Sequence, residues 1–238
     1  HKVTLTFTGP DVTEADVYNP FTNYRMDVTF THSSGSPSVT VPGFYAADGD
    51  AANSGAAGGD QWQVRFMPTQ IGTWNYTVAF YEGPDVAIAT NPAAVAIGNP
   101  APDGETGNFT ILDTDKSAPD FRYHGLLQYI NEHYMQFAGS GEYFLKNGAD
   151  SPENFFAYDD FDGTYDTGGI INGFLHSYAP HAGDWNTGDP EWAGGRGHNI
   201  IGAINYLSSQ DVNSIYIITY TIDGGDGGDT WVWTSDTE

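Results

Sequence analysis

The chain has 238 residues, of which 39% are apolar, a size that supports one large domain or two modest ones. Its formal net charge of −24 argues against nucleic acid, anionic membranes and highly sulfated polysaccharides as partners, because each of these binds through clustered cations. Among polymeric ligands, neutral glycans are more compatible with this charge than acidic ones. The absence of cysteine excludes disulfides, thiol nucleophiles and cysteine-ligated zinc.

The first part of the chain has the alternating pattern of antiparallel β-strands. Val3, Leu5 and Phe7 alternate with threonines, and turn-forming pairs such as Gly9-Pro10 separate successive segments of this kind. The alternating segments lie at residues 3–8, 25–30, 61–66, 74–80 and 109–111. Because each strand has one apolar face and one polar face, the pattern predicts a mainly β chain that begins with a β-sandwich.

A change of composition divides the chain. Residues 85–119 are rich in alanine, proline, glycine and aspartate, and the stretch after Leu112 has the composition of a linker. We therefore predict two domains, residues 1–114 and residues 115–238.

Beyond the linker, the pattern is that of one strand–helix–strand unit. It predicts a strand at Tyr143–Lys146, a helix over Arg196–Gln210 and a second strand at Ser214–Ile222. One helix face is apolar, formed by Ile200, Ala203, Ile204 and Leu207. The last strand is apolar on both faces, as in parallel sheets. A complete (β/α)8 barrel takes about 250 residues. We therefore expect only the first βαβ portion of an incomplete barrel here, with the remainder of the barrel or another chain covering the 214–222 strand.

Two sets of motifs resemble those of one group of secreted microbial proteins. The first set comprises Gly9-Pro10, Asn19-Pro20-Phe21, Val41–Gly49, Trp62–Phe66, Ile71–Trp74 and Asp103–Phe109. The second set comprises Tyr143–Asn154, Tyr158–Thr164, His176–Trp185 and Gly188–Trp192. Together they resemble glycoside-hydrolase-like proteins in which an immunoglobulin-like domain of uncharacterised function precedes a TIM-type barrel. The resemblance implies an immunoglobulin-like sandwich over 1–114, a truncated barrel over 115–238, an extracellular location and a polysaccharide substrate.

The same resemblance bears on catalysis. Barrels of this kind usually carry their two catalytic carboxylates on later strands, which we expect to lie outside this chain, so no catalytic residue is assigned. Two other functions stay open on the sequence. One is a non-catalytic carbohydrate-binding module, and the other is a structural or filament-forming extracellular surface protein that another chain completes.

Three polar residues follow the first predicted barrel strand. Asp150, Glu153 and Asn154 come after the carboxyl end of that strand, where parallel barrels bind their ligands. They are candidates for contact with sugar hydroxyls. The alternative is that Asp150 and Ser151 cap a turn that Pro152 stiffens.

The long loop before the predicted helix supplies aromatic candidates. Trp185 and Trp192 have planar rings that can stack on a pyranose face, and His181 is a polar neighbour. The alternative is that both tryptophans fix the loop to the barrel. His176 and His181 lack an evident third ligand, so we do not predict a zinc site.

A glycine-rich acidic segment follows the second predicted strand. Asp223, Asp226 and Asp229 are spaced three residues apart, a pattern that can wrap Ca²⁺, which makes calcium the one candidate cofactor. The alternative is a flexible acidic loop beside the cleft. Solvation of a secreted protein is a sufficient reason for the acidity of the chain as a whole.

Overall fold

The computed structural model describes residues 2–117, 120–148, 154–161, 165–166, 175–217 and 230–231. The chain divides into two compact units, unit 1 at His1–Tyr143 and unit 2 at Phe144–Glu238. The predicted domain boundary at 114/115 lies shortly after the last long strand of unit 1, which ends at Ile111. Within the described ranges, none of the helices has both the length and the apolar content needed to cross a bilayer.

Seven strands in two antiparallel sheets form the main part of unit 1. They are β1 (Val3–Thr13), β2 (Tyr24–His32), β3 (Ser38–Pro42), β4 (Phe44–Tyr45), β5 (Gly58–Phe66), β6 (Gly72–Glu82) and β7 (Thr106–Ile111). The first sheet has the order β1-β5-β4 and the second has the order β3-β2-β6-β7. The prediction of a mainly β chain is confirmed, and all five alternating segments lie within strands.

Alternation along β2 shows why these segments form strands. Met26, Val28 and Phe30 are buried, whereas the residues between them face outward and are partly exposed. This period of two fits a strand with one face on a core. The sequence pattern did not reveal β3 and β4, since β3 is a mostly exposed strand at a sheet edge and β4 has only two residues.

Aromatic side chains join the two sheets across a shared core. Phe30 of β2 stacks on Phe66 of β5, with ring centroids 4.2 Å apart and planes within 6° of parallel. Trp62 of β5 meets Phe80 of β6 edge to face at 4.9 Å. Trp74 of β6 meets Phe66 in the same way at 5.0 Å. These rings are almost fully buried, and burial of such a side chain stabilises the fold by roughly 1.5–3 kcal/mol.

The outer face of the four-stranded sheet is lined by hydroxyl groups that pair between strands. Thr29 and Thr40 are hydrogen bonded at 2.9 Å, and Thr31 and Ser38 at 2.8 Å. On the same face, toward the opposite edge of the sheet, Asn75 of β6 lies directly opposite Asn108 of β7. The central rows of this face therefore consist of uncharged polar residues.

Short connections complete unit 1. Three single-turn helices link the strands: α1 (Pro20–Asn23), α2 (Ala51–Ser54) and α3 (Pro92–Val95). A small sheet with the order β10-β9-β8 follows β7, formed by β8 (Leu127–Gln128), β9 (Met135–Phe137) and β10 (Tyr143–Phe144). The predicted barrel strand at Tyr143–Lys146 is thus shorter than expected, and within the described residues its strand neighbour is β9.

In unit 2, the predicted helix is confirmed as α4 (His198–Ser209). Its Ile200 and Ala203 are buried against Phe155 and Tyr158, which gives the unit its own hydrophobic cluster. Ile204, predicted on the same face, is instead 42% exposed. Two short strands, β11 (Tyr165–Asp166) and β12 (Thr230–Trp231), pair in antiparallel fashion.

The segment after α4 differs from the prediction of a buried strand at Ser214–Ile222. Residues 214–217 have no regular secondary structure, and Ile215 and Tyr216 are exposed; residues 218–222 lie outside the described residues. The chain nevertheless runs beside residues 145–148. The Asn147 side chain donates to the Asp211 carbonyl at 2.8 Å, and the Asn213 side chain donates to the Leu145 carbonyl at 2.8 Å. One backbone bond also joins the two segments, from the Asn213 N–H to the Asn147 carbonyl at 2.9 Å.

We expect Phe30→Ala to lower the free energy of unfolding by about 3–5 kcal/mol, because it removes the ring that stacks between the sheets and leaves a cavity. Val39→Ala is the matched control, since Val39 lies opposite Phe30 on β3 and is 41% exposed. It should change stability by less than about 1 kcal/mol. Urea unfolding monitored by circular dichroism measures the free energy of unfolding of both variants. Equal losses of stability in the two variants would contradict a core centred on Phe30.

Candidate functional site

Unit 2 contains a polar cleft of about 320 Å³. Three segments contribute to it: the turn at residues 158–160, Ser177, and the start of α4. Its lining consists of Tyr158, Asp159, Asp160, Ser177, Gly195, His198 and Asn199. Carboxylates, an imidazole, a hydroxyl and an amide therefore converge on one concave surface.

The start of α4 is fixed by close packing at Gly197. This residue has φ +87°, which glycine adopts without strain, and a Cβ there would lie 2.0 Å from Trp192 Cζ3. The Trp192 ring also stacks on Phe161, with centroids 5.5 Å apart. Trp192 is thus part of the hydrophobic cluster beneath the cleft. This is the position expected if Trp192 fixes the loop.

Side-chain amides of α4 hold the long loop in place. Asn199 Nδ2 donates to the Ser177 carbonyl at 2.9 Å, and Asn205 Nδ2 donates to the Asp184 carbonyl at 2.9 Å. The 3-10 helix at Ala179–Asp184 lies so close to α4 that a Cβ at Gly202 would be 2.0 Å from the His181 carbonyl oxygen. The loop is therefore anchored at several points along one helix.

His198 connects the cleft to the predicted residue Trp185. The two rings stack with centroids 3.9 Å apart and planes 16° from parallel. His198 Nε2 lies 2.7 Å from Glu191 Oε2, so this nitrogen carries a hydrogen that it donates to the carboxylate. The Trp185 indole N–H donates to the Pro190 carbonyl at 3.1 Å. Both rings are consequently held in fixed orientations at the edge of the cleft.

The two aspartates of the cleft have different surroundings. Asp160 accepts hydrogen bonds from Arg196 Nε at 3.0 Å and from the Gly197 backbone N–H at 3.2 Å, whereas Asp159 is exposed. Burial, together with the negative charges of Asp160 and Asp159, raises the pKa of Tyr158. The Tyr158 hydroxyl therefore remains protonated at neutral pH.

The other predicted site residues fall in several places. Asn154 is buried, and its Oδ1 accepts a hydrogen bond from His176 Nε2 at 2.9 Å. His181 pairs with Asp184 at 3.0 Å. Five more predicted residues lie outside the described residues: Asp150, Glu153, Asp223, Asp226 and Asp229. In the part of the chain that the structure describes, no group of three histidine, aspartate or glutamate side chains is placed to hold a metal ion.

Two of the described predicted residues contact the lining of the cleft: Trp185 stacks on His198, and Trp192 meets Tyr158 edge to face. Sequence reasoning did not select Asp159, Asp160, Ser177, His198 or Asn199. The adjacent pair Asp159-Asp160 was a usable signal, because two neighbouring carboxylates beside the aromatic Tyr158 are unusual in a strand or helix core. His198 and Asn199 gave no such signal, since their position at the start of α4 depends on the packing of Gly197.

Comparison with known proteins gives limited matches. Residues 1–81, about a third of the chain, match a family described as Domain of unknown function (DUF5060). One solved structure, of a "putative glycoside hydrolase" from Bacteroides vulgatus, aligns with 22% identity and a TM-score of 0.39. The alignment covers 63% of this chain and 21% of that one, so the chain spans about a fifth of that structure's length. No curated protein matches the sequence.

Burial lowers the pKa of His176, which predicts a pH dependence of stability. Because the unfolded chain binds the proton more readily than the folded chain, stability falls as pH drops below the unfolded value of about 6.5. His176→Gln retains a donor for Asn154 and removes this titration. We expect the melting temperature of the variant to fall less than that of the wild type between about pH 7.5 and about pH 5.

Differential scanning calorimetry at both pH values measures the difference. His133→Gln, which replaces an exposed histidine, controls for the loss of an imidazole as such. Equal falls in melting temperature in the wild type and in His176→Gln would show that His176 does not contribute to the pH dependence of stability.

Proposed function

We propose that this chain is the N-terminal portion of a secreted, polysaccharide-active protein of the glycoside hydrolase type, and that the cleft of unit 2 binds a neutral glycan. The observation that carries the proposal is the composition of the cleft. Asp159, Ser177 and Asn199 supply hydrogen-bonding groups for sugar hydroxyls, while the Trp185–His198 stack supplies flat aromatic surface at its edge. A sugar-binding surface combines hydrogen-bonding groups with flat aromatic surface, because sugar rings have polar rims and apolar faces.

Charge favours a neutral glycan over an acidic one. The cleft is lined by two aspartates, one of which is exposed, and the chain has a formal net charge of −24. A uronate or sulfate group would enter this field at an electrostatic cost, whereas uncharged hydroxyls can donate to the carboxylates.

The proposal includes the architecture implied by the sequence motifs. Two facing sheets of three and four strands support an immunoglobulin-like sandwich for unit 1. In unit 2, the packing of α4 on Tyr158 and the neighbouring course of residues 145–148 and 211–214 support the opening of a barrel. The proposal also keeps Asp150 and Glu153 as sugar-contacting residues and Asp223, Asp226 and Asp229 as a calcium site; all five lie outside the described residues.

Binding is the activity that the described residues support. Asp160 accepts hydrogen bonds from Arg196 and Gly197, and Glu191 accepts one from His198, so both carboxylates have partners within the protein. Glycoside hydrolysis takes a pair of carboxylates that flank the scissile bond, and no such pair is identified among the described residues. We therefore assign no catalytic residue. The non-catalytic module remains the alternative form of the same proposal, with the glycan bound at the same cleft.

Isothermal titration calorimetry with soluble hexasaccharides of glucose, xylose and mannose tests the proposal. We expect Trp185→Ala to weaken binding by about tenfold or more, because it removes the aromatic surface. Trp185→Phe should retain most of the affinity. Tyr129→Ala is the control, since it removes an exposed ring of unit 1. The proposal fails if the wild-type chain binds none of these glycans.

A further inference from the structure

A second cleft, of about 360 Å³, lies within unit 1. It forms where α1, β4 and the middle of β5 meet. Aromatic and apolar residues dominate its walls, and those that matter here are Pro20, Phe21, Arg25, Phe44, Tyr45 and Trp62. Its volume is at the lower end of the roughly 300–1,000 Å³ typical of small-molecule sites. The motifs Asn19-Pro20-Phe21 and Val41–Gly49, separated in sequence, therefore meet at one concave surface.

One wall of this cleft is a rigid turn. Asn19 Oδ1 accepts hydrogen bonds from the backbone N–H groups of Phe21 at 3.0 Å and Thr22 at 3.1 Å. Pro20 then occupies the first helical position, where its fixed φ suits the helix. Asn23 Oδ1 accepts in turn from the Asn19 backbone N–H at 3.0 Å. The turn holds Phe21 with 57% of its surface exposed.

The opposite wall of the cleft begins at Gly43, where the backbone packs closely against neighbouring residues. A Cβ at this position would lie 2.2 Å from Met26 Cε and 3.0 Å from the Gln63 carbonyl oxygen, so only glycine fits without a shift. The chain then presents Phe44, which is 37% exposed. Next to it, the Tyr45 hydroxyl lies within hydrogen-bonding distance of the carbonyl oxygens of Val12 and Gly59, which share its one hydrogen. Hydrogen bonds and close backbone packing therefore position both walls.

Arg25 adds polar donors to this aromatic surface. Its Nε donates to Asp27 Oδ2 at 2.9 Å, and its Nη1 donates to the Ala89 carbonyl at 2.9 Å. A guanidinium group has five N–H donors, and these two contacts use two of them. The ion pair with Asp27 also cancels the charge of Arg25. Arg65 lies outside the lining, but its guanidinium carbon is 4.8 Å from the centre of the Phe44 ring, so a second arginine flanks the cleft. The cleft thus combines aromatic faces with hydrogen-bond donors.

We infer that this cleft is a separate subsite for a neutral pyranose unit, which lies against Phe21 and Phe44 and accepts a hydrogen bond from Arg25. The inference rests on the proposed function, because it takes the ligand class from it. An anionic sugar is disfavoured by the −24 charge of the chain. A second copy of the chain would need a far larger surface, since stable interfaces bury about 1,200–2,000 Å².

The test uses the full chain and the double variant Phe21→Ala/Phe44→Ala. Calorimetry with the hexasaccharides of glucose, xylose and mannose, and with hexagalacturonate, should show that the double variant binds a neutral hexasaccharide about tenfold more weakly than the wild type. Val17→Ala is the control, since Val17 is fully exposed and lies outside the lining. It should bind as the wild type does. Circular dichroism melts establish that the double variant is folded, as expected for changes at exposed rings.

Three results would overturn the inference. In the first, the wild type binds a glycan, the folded double variant binds it equally well, and only Trp185→Ala loses affinity. This result leaves the proposed function intact. The second is binding of hexagalacturonate in preference to every neutral glycan. The third is a concentration-dependent dimer, seen by sedimentation, that the double variant abolishes. Absence of all glycan binding by the wild type would instead remove the proposed function, and the subsite with it.

Discussion

The packing of aromatic rings between the two sheets of unit 1 is the constraint on which the other features of that unit depend. Phe30 and Phe66 lie face to face, and Trp62 and Trp74 each make an edge-to-face contact across the same core. Offset and edge-to-face geometries add roughly 0.5–1.5 kcal/mol per pair beyond simple burial. They also fix which residues of β5 face inward, because a shift of one residue would turn Trp62 and Phe66 to solvent. With β5 fixed, Trp62 becomes the floor of the unit 1 cleft.

Unit 2 is organised differently, through side-chain amides and glycines. Among the described residues, its hydrophobic cluster has four buried members, and Asn199 and Asn205 hold the loop that precedes α4 through hydrogen bonds. Gly197 and Gly202 allow that loop to lie directly on the helix. Hydrogen bonds of this kind contribute about 1 kcal/mol each, less than a buried aromatic ring, but they specify direction. This suits a binding surface, where the orientation of a few polar groups matters more than the burial of many apolar ones.

The sequence was informative where one short-range pattern decides the structure. Strict alternation around Val28 and Trp62 was sufficient to predict the strands of unit 1, and the spacing of Ile200 and Ala203 was sufficient to predict α4. The sequence was less informative where long-range contacts determine the structure. The apolar run after Asn213 has the composition of a buried strand, yet residues 214–217 form none, since hydropathy does not specify which partner strand is available. The clefts were not predictable for the same reason, because each joins residues that are distant in sequence.

The hydroxyl-lined face of the four-stranded sheet has a consequence for how molecules of this protein meet in solution. The acidic side chains and the arginine of those four strands lie toward one end of the sheet, at Arg25, Asp27 and Glu82, so its central rows are uncharged. Repulsion between two copies is therefore anisotropic, strong where acidic loops approach each other and weak where two sheet faces do. Dissolved salt shortens the range of the strong component to about 8 Å at physiological ionic strength and leaves the weak one unchanged. The paired hydroxyls of this face keep lone pairs that can bind water, so the face is hydrated without being charged.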